Sequence, residues 1–147
     1  YYREHGAAIL LMCGNGEMKS DIQKQVAAKQ LQDHVIFFDA STDVYRMYNM
    51  MDVFVFPSLY EGMSLALLEA QANGLPIVAS DTVDGKIALT DQVTFLNLDD
   101  ISEWIVAIEG AVRSESQGSV QALRNAGYDI GQVAGMLENY YEQGVKI

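Results

Sequence analysis

The feature that most constrains the fold of this chain is an alternation of short apolar runs with longer helical patterns. Each apolar run is bounded by turn residues, which is typical of strands buried in a sheet. Strands that alternate with helices through short loops predict right-handed βαβ crossovers and a mostly parallel sheet. The predicted strands are residues 7–13, 34–38, 52–57, 75–80 and 93–98.

We therefore expect an α/β fold, in which a Rossmann-like parallel sheet is flanked by helices. Ligands of such sheets bind beyond the carboxyl ends of the strands, where the loops after each strand meet. The whole chain, 1–147, is predicted to be a single domain with a core at about 7–112 and a helical tail at about 113–147. The loops that follow predicted strands are 14–16, 39–42, 58–64 and 81–86.

The charge and the cysteine content narrow the class of protein. A net charge of −11, with only nine basic residues and no run of them, argues against a nucleic-acid partner and against direct contact with an anionic membrane surface. The single cysteine, Cys13, excludes an intrachain disulfide, and its place in an apolar run predicts a buried thiol. Cysteine usage of this kind favours the cytoplasm.

Residues 57–81 carry the strongest functional signal in the chain, because they combine a polar turn, a short helix, a glycine stop and a proline between two strands. A helix N-terminus attracts anions through its unpaired N–H groups and its dipole. Glu61 precedes this predicted helix and Glu69 lies one to two turns inside it. Eight helical residues rise about 12 Å, so the two carboxylates flank the anion site. A phosphate between two hydroxyl-rich groups describes a nucleotide-sugar.

With this segment the chain resembles the retaining glycosyltransferases of two-domain GT-B architecture, and within them the group 1 family that builds bacterial polysaccharides and lipopolysaccharides. The matching pattern is Pro-Ser, then Glu-Gly, then a Glu eight residues after the first, followed by Ala-x-Ala-x-Gly-x-Pro. The resemblance covers about residues 7–110. It implies the C-terminal, donor-binding domain of such an enzyme, with the N-terminal acceptor domain absent from the chain.

The resemblance implies roles for named residues. Glu61 would meet the hydroxyls of the donor sugar as the catalytic carboxylate, and Glu69 would accept hydrogen bonds from the ribose diol. The backbone amides expected to hold the sugar and the diphosphate belong to Gly62, Met63, Ser64 and Leu65. The residues expected beside the base, largely through their backbone, are Asp39, Ala40 and Ser41.

The activity implied is transfer, with retention, of a sugar from a nucleotide-sugar, expected to be a UDP-sugar, to a glycan or lipid-linked acceptor. No cofactor and no metal are expected, because the chain has no Asp-x-Asp, no paired histidines and no cysteine pair. The parent is expected in the cytoplasm and, if it meets a membrane, at the inner face as a peripheral protein. The Arg and Lys that hold the diphosphate in the family would lie upstream of Tyr1, so the chain alone is expected to be inactive.

Alternatives remain open at this point. Asp39 and Ala40 stand where the family has glycine, which alters the expected shape of the base pocket. Glu61 is alternatively a helix-start carboxylate favoured by the dipole, and Glu69 a solvated helix position. The tyrosines and methionines around Tyr48 are predicted to pack in the core and at its rim. For the whole chain, the alternatives are a non-catalytic nucleotide or sugar-phosphate binding domain of the same fold and a parallel-sheet signalling module.

Overall fold

Every predicted strand is present in the computed structural model, which describes residues 8–40, 43–112 and 116–143. The strands are β1 (Leu10–Cys13), β2 (Val35–Phe38), β3 (Phe54–Phe56), β4 (Ile77–Ser80) and β5 (Val93–Leu96). The α-helices are α1 (Lys19–Ala28), α2 (Val44–Met50), α3 (Leu65–Ala72), α4 (Ile101–Glu109), α5 (Ser116–Asn125) and α6 (Ile130–Gln143). The strands pair in parallel as two sheets, β1-β2 and β3-β4-β5. The predicted α/β class is confirmed.

The first compact unit of the chain, Tyr1–Val44, contains β1, α1 and β2. Leu10 lies opposite Val35 in the parallel ladder, and the N–H of Gly14 donates to the carbonyl oxygen of Phe38 at 3.1 Å. The prediction of a buried thiol is wrong, since Cys13 is exposed. Cys13 is the last residue of β1, and the described part of this unit has one α-helix, which cannot cover both faces and the end of a two-stranded sheet.

The second unit, Tyr45–Ile147, is built around β4, which lies between β3 and β5. All four residues of β4 are buried, as expected for a central parallel strand covered on both faces. Ile77 lies opposite Phe54 on one side and opposite Val93 on the other. The sheet therefore places the loops after β3 and β4 at one carboxyl edge.

Helices α2, α3 and α4 supply further core residues of the second unit. On α2, Met47 and Tyr48 are buried as predicted, whereas Tyr45 and Met50, which were predicted to pack with them, are exposed. On α3, Leu67 and Ala70 have no exposed surface. Trp104 of α4 is buried as well, and its Nε1 donates to the carbonyl oxygen of Asn97 at 2.8 Å.

The predicted helical tail contains α5 and α6. Leu123 of α5 is buried, whereas no described residue of α6 is. No helix in the described ranges has the length and apolar character needed to cross a membrane. The boundaries predicted for the core and the tail stay predictions.

Candidate functional site

The segment that joins β3 to α3 forms the candidate site. Ser64 is the residue before the first turn of α3, and its side chain makes no capping hydrogen bond to the helix. Glu61 is half-buried three residues before Ser64, and Glu69 is exposed at the fifth position of α3. The predicted placement of both carboxylates on either side of the helix start is confirmed. Their roles toward a ligand stay predictions.

Gly62 is exposed between the two carboxylates, and no described residue fills the space that a side chain would occupy there. A Cβ added at Gly62 would meet no atom within 4 Å, and its φ lies outside the left-handed region. Met63 and Leu65 are exposed as well, whereas Ser64 between them is 6% exposed. The loop before α3 is therefore open to solvent at Gly62 and Met63 and closed at Ser64.

Hydroxyl groups at the end of β4 hold the beginning of this loop. The carbonyl oxygen of Ser58 accepts hydrogen bonds from the Ser80 hydroxyl and, at 2.6 Å, from Thr82 Oγ1. Thr82 Oγ1 also lies 2.9 Å from Ser80 Oγ, and Ser80 has no exposed surface. The loops after β3 and β4 are thus joined, which fixes the start of the segment that carries Glu61.

Glu69 has a partner that the sequence did not predict. The Tyr48 hydroxyl donates to Glu69 Oε2 at 3.1 Å, and it also lies 3.3 Å from the carbonyl oxygen of Ala66. Tyr48 is 4% exposed. The exposed carboxylate is therefore anchored on one side by a buried phenol.

Gln71 joins α3 to the segment after the 3-10 helix Gly85–Ile87. Its Nε2 donates to the carbonyl oxygens of Leu67 and Ile87, at 3.2 and 2.9 Å. Its Oε1 accepts from the backbone N–H groups of Leu89 and Thr90, at 2.9 and 3.1 Å. Gln71 has no exposed surface, so all of these groups depend on one side chain.

The turn between α5 and α6 reaches the same loop. The Tyr128 hydroxyl lies 3.9 Å from Met63 Sδ. The following residue, Asp129, begins α6 by accepting from the backbone N–H of Gln132 at 3.1 Å, and it pairs with Arg124 Nε at 3.0 Å. The Gln132 N–H bond and the Arg124 guanidinium lower the pKa of Asp129. This turn is therefore fixed at both sides of Tyr128.

The residues expected beside the base lie in the first unit. Asp39 follows β2, and its carboxylate forms an ion pair with Lys19 Nζ at 2.7 Å. With its amide nitrogen turned toward this acceptor, Asn15 donates to the same carboxylate at 3.0 Å. Ala40 is exposed in the turn, whereas Ser41 lies outside the described residues.

Sequence reasoning missed Tyr48, Gln71 and the hydroxyl pair Ser80 and Thr82. Tyr48 was assigned to packing alone, although a buried phenol needs a hydrogen-bond partner. The need for a hydrogen-bond partner can be inferred from the sequence, but the sequence does not identify the acceptor. Within the described ranges, no group of three or more His, Cys, Asp or Glu side chains is arranged to hold a metal ion. The expectation that no metal is required stays a prediction.

Comparison with known proteins identifies the family. The family model of the glycosyl transferases group 1 matches residues 2–94. This chain belongs to that family. The resemblance inferred from residues 57–81 is thereby confirmed.

The relatives of the chain include bacterial enzymes that assemble glycans. EpsF of Bacillus subtilis (strain 168) is 35% identical over 137 residues, which are 90% of this chain and 36% of EpsF. The UDP-Gal:alpha-D-GlcNAc-diphosphoundecaprenol alpha-1,3-galactosyltransferase of Escherichia coli is 30% identical over 104 residues, 69% of this chain and 27% of that protein. The O-antigen chain mannosyltransferase RfbU of Salmonella typhimurium is 25% identical, over 90% of this chain and 38% of RfbU.

The fold is also that of a solved glycosyltransferase. The pneumococcal O-GlcNAc transferase GtfA, crystallised in complex with UDP and GlcNAc, matches 97% of this chain and 30% of its own with a TM-score of 0.72. The sequence identity is 18%, so this likeness establishes the fold alone. The chain spans 36% of EpsF and 30% of GtfA.

Proposed function

We propose that the chain is the donor-binding part of a retaining glycosyltransferase of polysaccharide synthesis. In this proposal a nucleotide-sugar, of the UDP-sugar class, binds at the N-terminus of α3. The acceptor is a glycan or a lipid-linked glycan, and it is bound by a part of the enzyme outside this chain. The relatives from Escherichia coli and Salmonella typhimurium are named as a galactosyltransferase and a mannosyltransferase, and glycosyl transfer is the activity that we propose here.

The observation that carries the proposal is the arrangement of two carboxylates around a helix start without a side-chain cap, where Met63 and Leu65 are exposed and Ser64 is buried. Glu61 precedes α3, Glu69 lies on it, and Ser64 leaves the first N–H groups without a side-chain cap. Those N–H groups and the helix dipole favour a diphosphate. Carboxylates accept hydrogen bonds from hydroxyls, so Glu61 would bind the donor sugar and Glu69 would bind the ribose. The open space at Gly62 gives the ligand close access to the main chain.

In the proposed reaction, this site stabilises the diphosphate as it leaves the donor sugar. When the bond between the anomeric carbon and the phosphate oxygen breaks, negative charge grows on the diphosphate. Fixed N–H groups aimed at that charge lower the barrier, because they need no reorganisation during the reaction. Glu61 would orient the sugar through its hydroxyls. Because main-chain N–H groups stabilise the diphosphate in this proposal, we propose a reaction that uses no metal.

The proposal is tested by donor turnover in the natural full-length protein. UDP release from UDP-sugars is measured for the wild type and for Glu61→Gln and Glu69→Gln. Glu61→Gln is expected to lower kcat by about 100-fold, a typical loss when a reacting group is no longer held in position. Glu69→Gln is expected to act mainly on KM, since ribose binding is equal in the ground and transition states. NMR of the product reports whether the anomeric configuration is retained.

The matched control is Glu138→Gln, the same change at an exposed position of α6. It should leave kcat and KM unchanged. If the protein binds UDP but does not turn over any UDP-sugar, the proposal of an enzyme is wrong, and the alternative of a non-catalytic nucleotide-binding domain is supported. Wild-type turnover in both Glu61→Gln and Glu69→Gln would contradict the site itself.

A further inference from the structure

We infer that Tyr48 is a positioning residue, which orients the Glu69 carboxylate to receive a ribose diol. The inference rests on the proposed function, and it deepens the account of the same site. The phenol oxygen of Tyr48 lies 3.1 Å from Glu69 Oε2. Tyr48 is buried, whereas Glu69 is exposed on the surface of α3. A fixed donor thus reaches out to a carboxylate that would otherwise rotate in solvent.

The position of the Tyr48 hydroxyl is fixed by packing. Its ring meets Phe54 of β3 edge to face, with centroids 5.8 Å apart. The next residue, Asn49, accepts from Asn73 Nδ2 at 2.9 Å, which joins α2 to the end of α3. Neither contact involves Glu69. The phenol therefore keeps its place whether or not a ligand is bound.

An anchored carboxylate binds a diol better than a free one. An exposed glutamate loses rotamer freedom when it is ordered by a ligand. Because Tyr48 holds Oε2, the Glu69 side chain is already restricted in the unbound protein. Less rotamer freedom therefore remains to be lost when the ligand binds.

The bond from Tyr48 leaves enough acceptor capacity for the ligand. An ionised carboxylate offers about four lone-pair sites on its two oxygens. Tyr48 occupies one site on Oε2, so Oε1 and the rest of Oε2 remain for the two hydroxyls of a cis diol. The contact of the Tyr48 hydroxyl with the Ala66 carbonyl would by itself give this buried phenol a partner. The bond to Glu69 is the one that a positioning role requires.

The test compares two probes in the natural full-length protein: UDP, and 2′,3′-dideoxy-UDP, which lacks the diol. Calorimetry gives Kd for each, and their ratio measures how strongly the diol is recognised. Tyr48→Phe is expected to reduce this ratio about threefold to tenfold, because the carboxylate remains but is no longer held. In a Glu69→Ala background, Tyr48→Phe should change the ratio no further.

The matched control is Tyr45→Phe, the same change on the same helix at a residue that is 69% exposed. It should leave the ratio at the wild-type value. A ratio that survives Tyr48→Phe but collapses in Glu69→Ala overturns the inference and leaves the proposed function intact. Equal weakening of both probes by Tyr48→Phe points to a general structural role and also overturns it. A ratio that Glu69→Ala leaves unchanged contradicts the ribose site itself, and the inference with it.

A second variant covers the case in which Tyr48→Phe does not fold. A 3,5-difluorotyrosine at position 48 keeps the ring and the hydroxyl, but its phenol ionises at lower pH than that of tyrosine. Ionisation removes the donated hydrogen, so the diol ratio should fall as pH rises in this variant and stay level in the wild type over the same range. The ¹⁹F signal of the variant reports the pH range over which this phenol ionises, and a ratio that stays level across that range overturns the inference.

Discussion

Among single residues, Gly62 is the position where an added side chain would be tolerated by the fold but would obstruct a bound ligand. A Cβ there meets no protein atom within 4 Å, so Gly62→Ala should change the free energy of unfolding by no more than about 0.5 kcal/mol. A methyl group would however stand between the main chain and a bound diphosphate. We expect UDP to bind at least about tenfold more weakly, or ~1.4 kcal/mol. Thermal melts and calorimetry on the same samples measure both quantities.

The control for Gly62→Ala is Gly118→Ala on α5, where an added Cβ also meets no atom within 4 Å. It should leave UDP binding unchanged. Equal UDP affinity in Gly62→Ala and the wild type would mean that no ligand approaches this backbone.

Gln71 shows how much of the fold can depend on one buried amide. Replacing it with Leu leaves the N–H groups of Leu89 and Thr90 and the carbonyl of Ile87 without the amide that they bond in the wild type. Each buried unpaired group costs about 1–3 kcal/mol, so Gln71→Leu should destabilise the fold by roughly 3 kcal/mol or more. Urea unfolding measures this loss.

The comparison variant is Gln121→Leu, which removes an exposed side-chain bond to Asn125 on α5. Surface changes of this kind stay within about 0.5 kcal/mol. Similar stability of the two variants would show that the segment 87–90 finds other partners.

Sequence reasoning reached the exposed residues of the site better than the buried ones. Glu61 and Glu69 could be placed on either side of α3 because helix starts have recognisable sequence patterns. The partners of Tyr48 and Gln71 could not be placed. They come from elements 16 to 21 positions away along the chain, and only the packing of those elements decides which partner a buried group meets.

Among the secondary-structure elements, α6 gives the clearest pH dependence. The backbone N–H of Gln132, and then the Arg124 guanidinium, lower the pKa of Asp129 below its ordinary value of 3.8. The native state therefore favours the ionised form. Its stabilising effect is complete above pH 3.8 and is lost as pH falls through the lowered pKa. Asp129→Ala should be less stable than the wild type at neutral pH, and this difference should shrink at acid pH.

Urea unfolding between neutral and acid pH measures the difference between Asp129→Ala and the wild type. Arg124→Ala is the accompanying variant, because it removes the guanidinium and keeps the bond from Gln132. It should reduce the pH dependence without abolishing it. A difference that stays constant as the pH falls would contradict a cap that depends on charge.

Two glycines of the same helix should respond in opposite ways to alanine. A Cβ at Gly135 meets no atom within 4 Å, so Gly135→Ala should stabilise α6 by about 0.5–1 kcal/mol. A Cβ at Gly131 would lie 3.2 Å from Asp129 Oδ1 and would crowd the cap. Thermal melts should therefore place Gly135→Ala above Gly131→Ala. The reverse order would contradict the position of the cap.

The strands and the parallel pairing could be predicted from the sequence because apolar runs and proline have direct physical causes. Pro57 ends the apolar run that contains β3, since proline has no N–H for the ladder. The same reasoning failed for Cys13, which is exposed at the end of β1. An apolar run identifies a strand, but burial depends on what packs against it, and the run does not carry that information.

At the scale of the whole molecule, the family is established for a chain that spans 36% of EpsF. The motif at 57–81 predicted that family because its spacing sets two carboxylates, a glycine and a helix start in one segment. The donor sugar could not be predicted in the same way. Selectivity among sugars depends on the detailed shape of loops, and fold alone does not specify it.

The most direct test of the central claim locates UDP on the natural full-length protein by methyl NMR. Met63 lies in the loop before α3, and Met136 is an exposed methionine of α6, so their labelled methyl groups give a probe and a control. Met63→Leu and Met136→Leu assign the two signals. The account predicts that UDP shifts the Met63 signal, that the Met136 signal stays in place, and that Glu69→Ala weakens the response. A Met63 signal that does not move while UDP shifts other methionines would contradict a donor site at the start of α3.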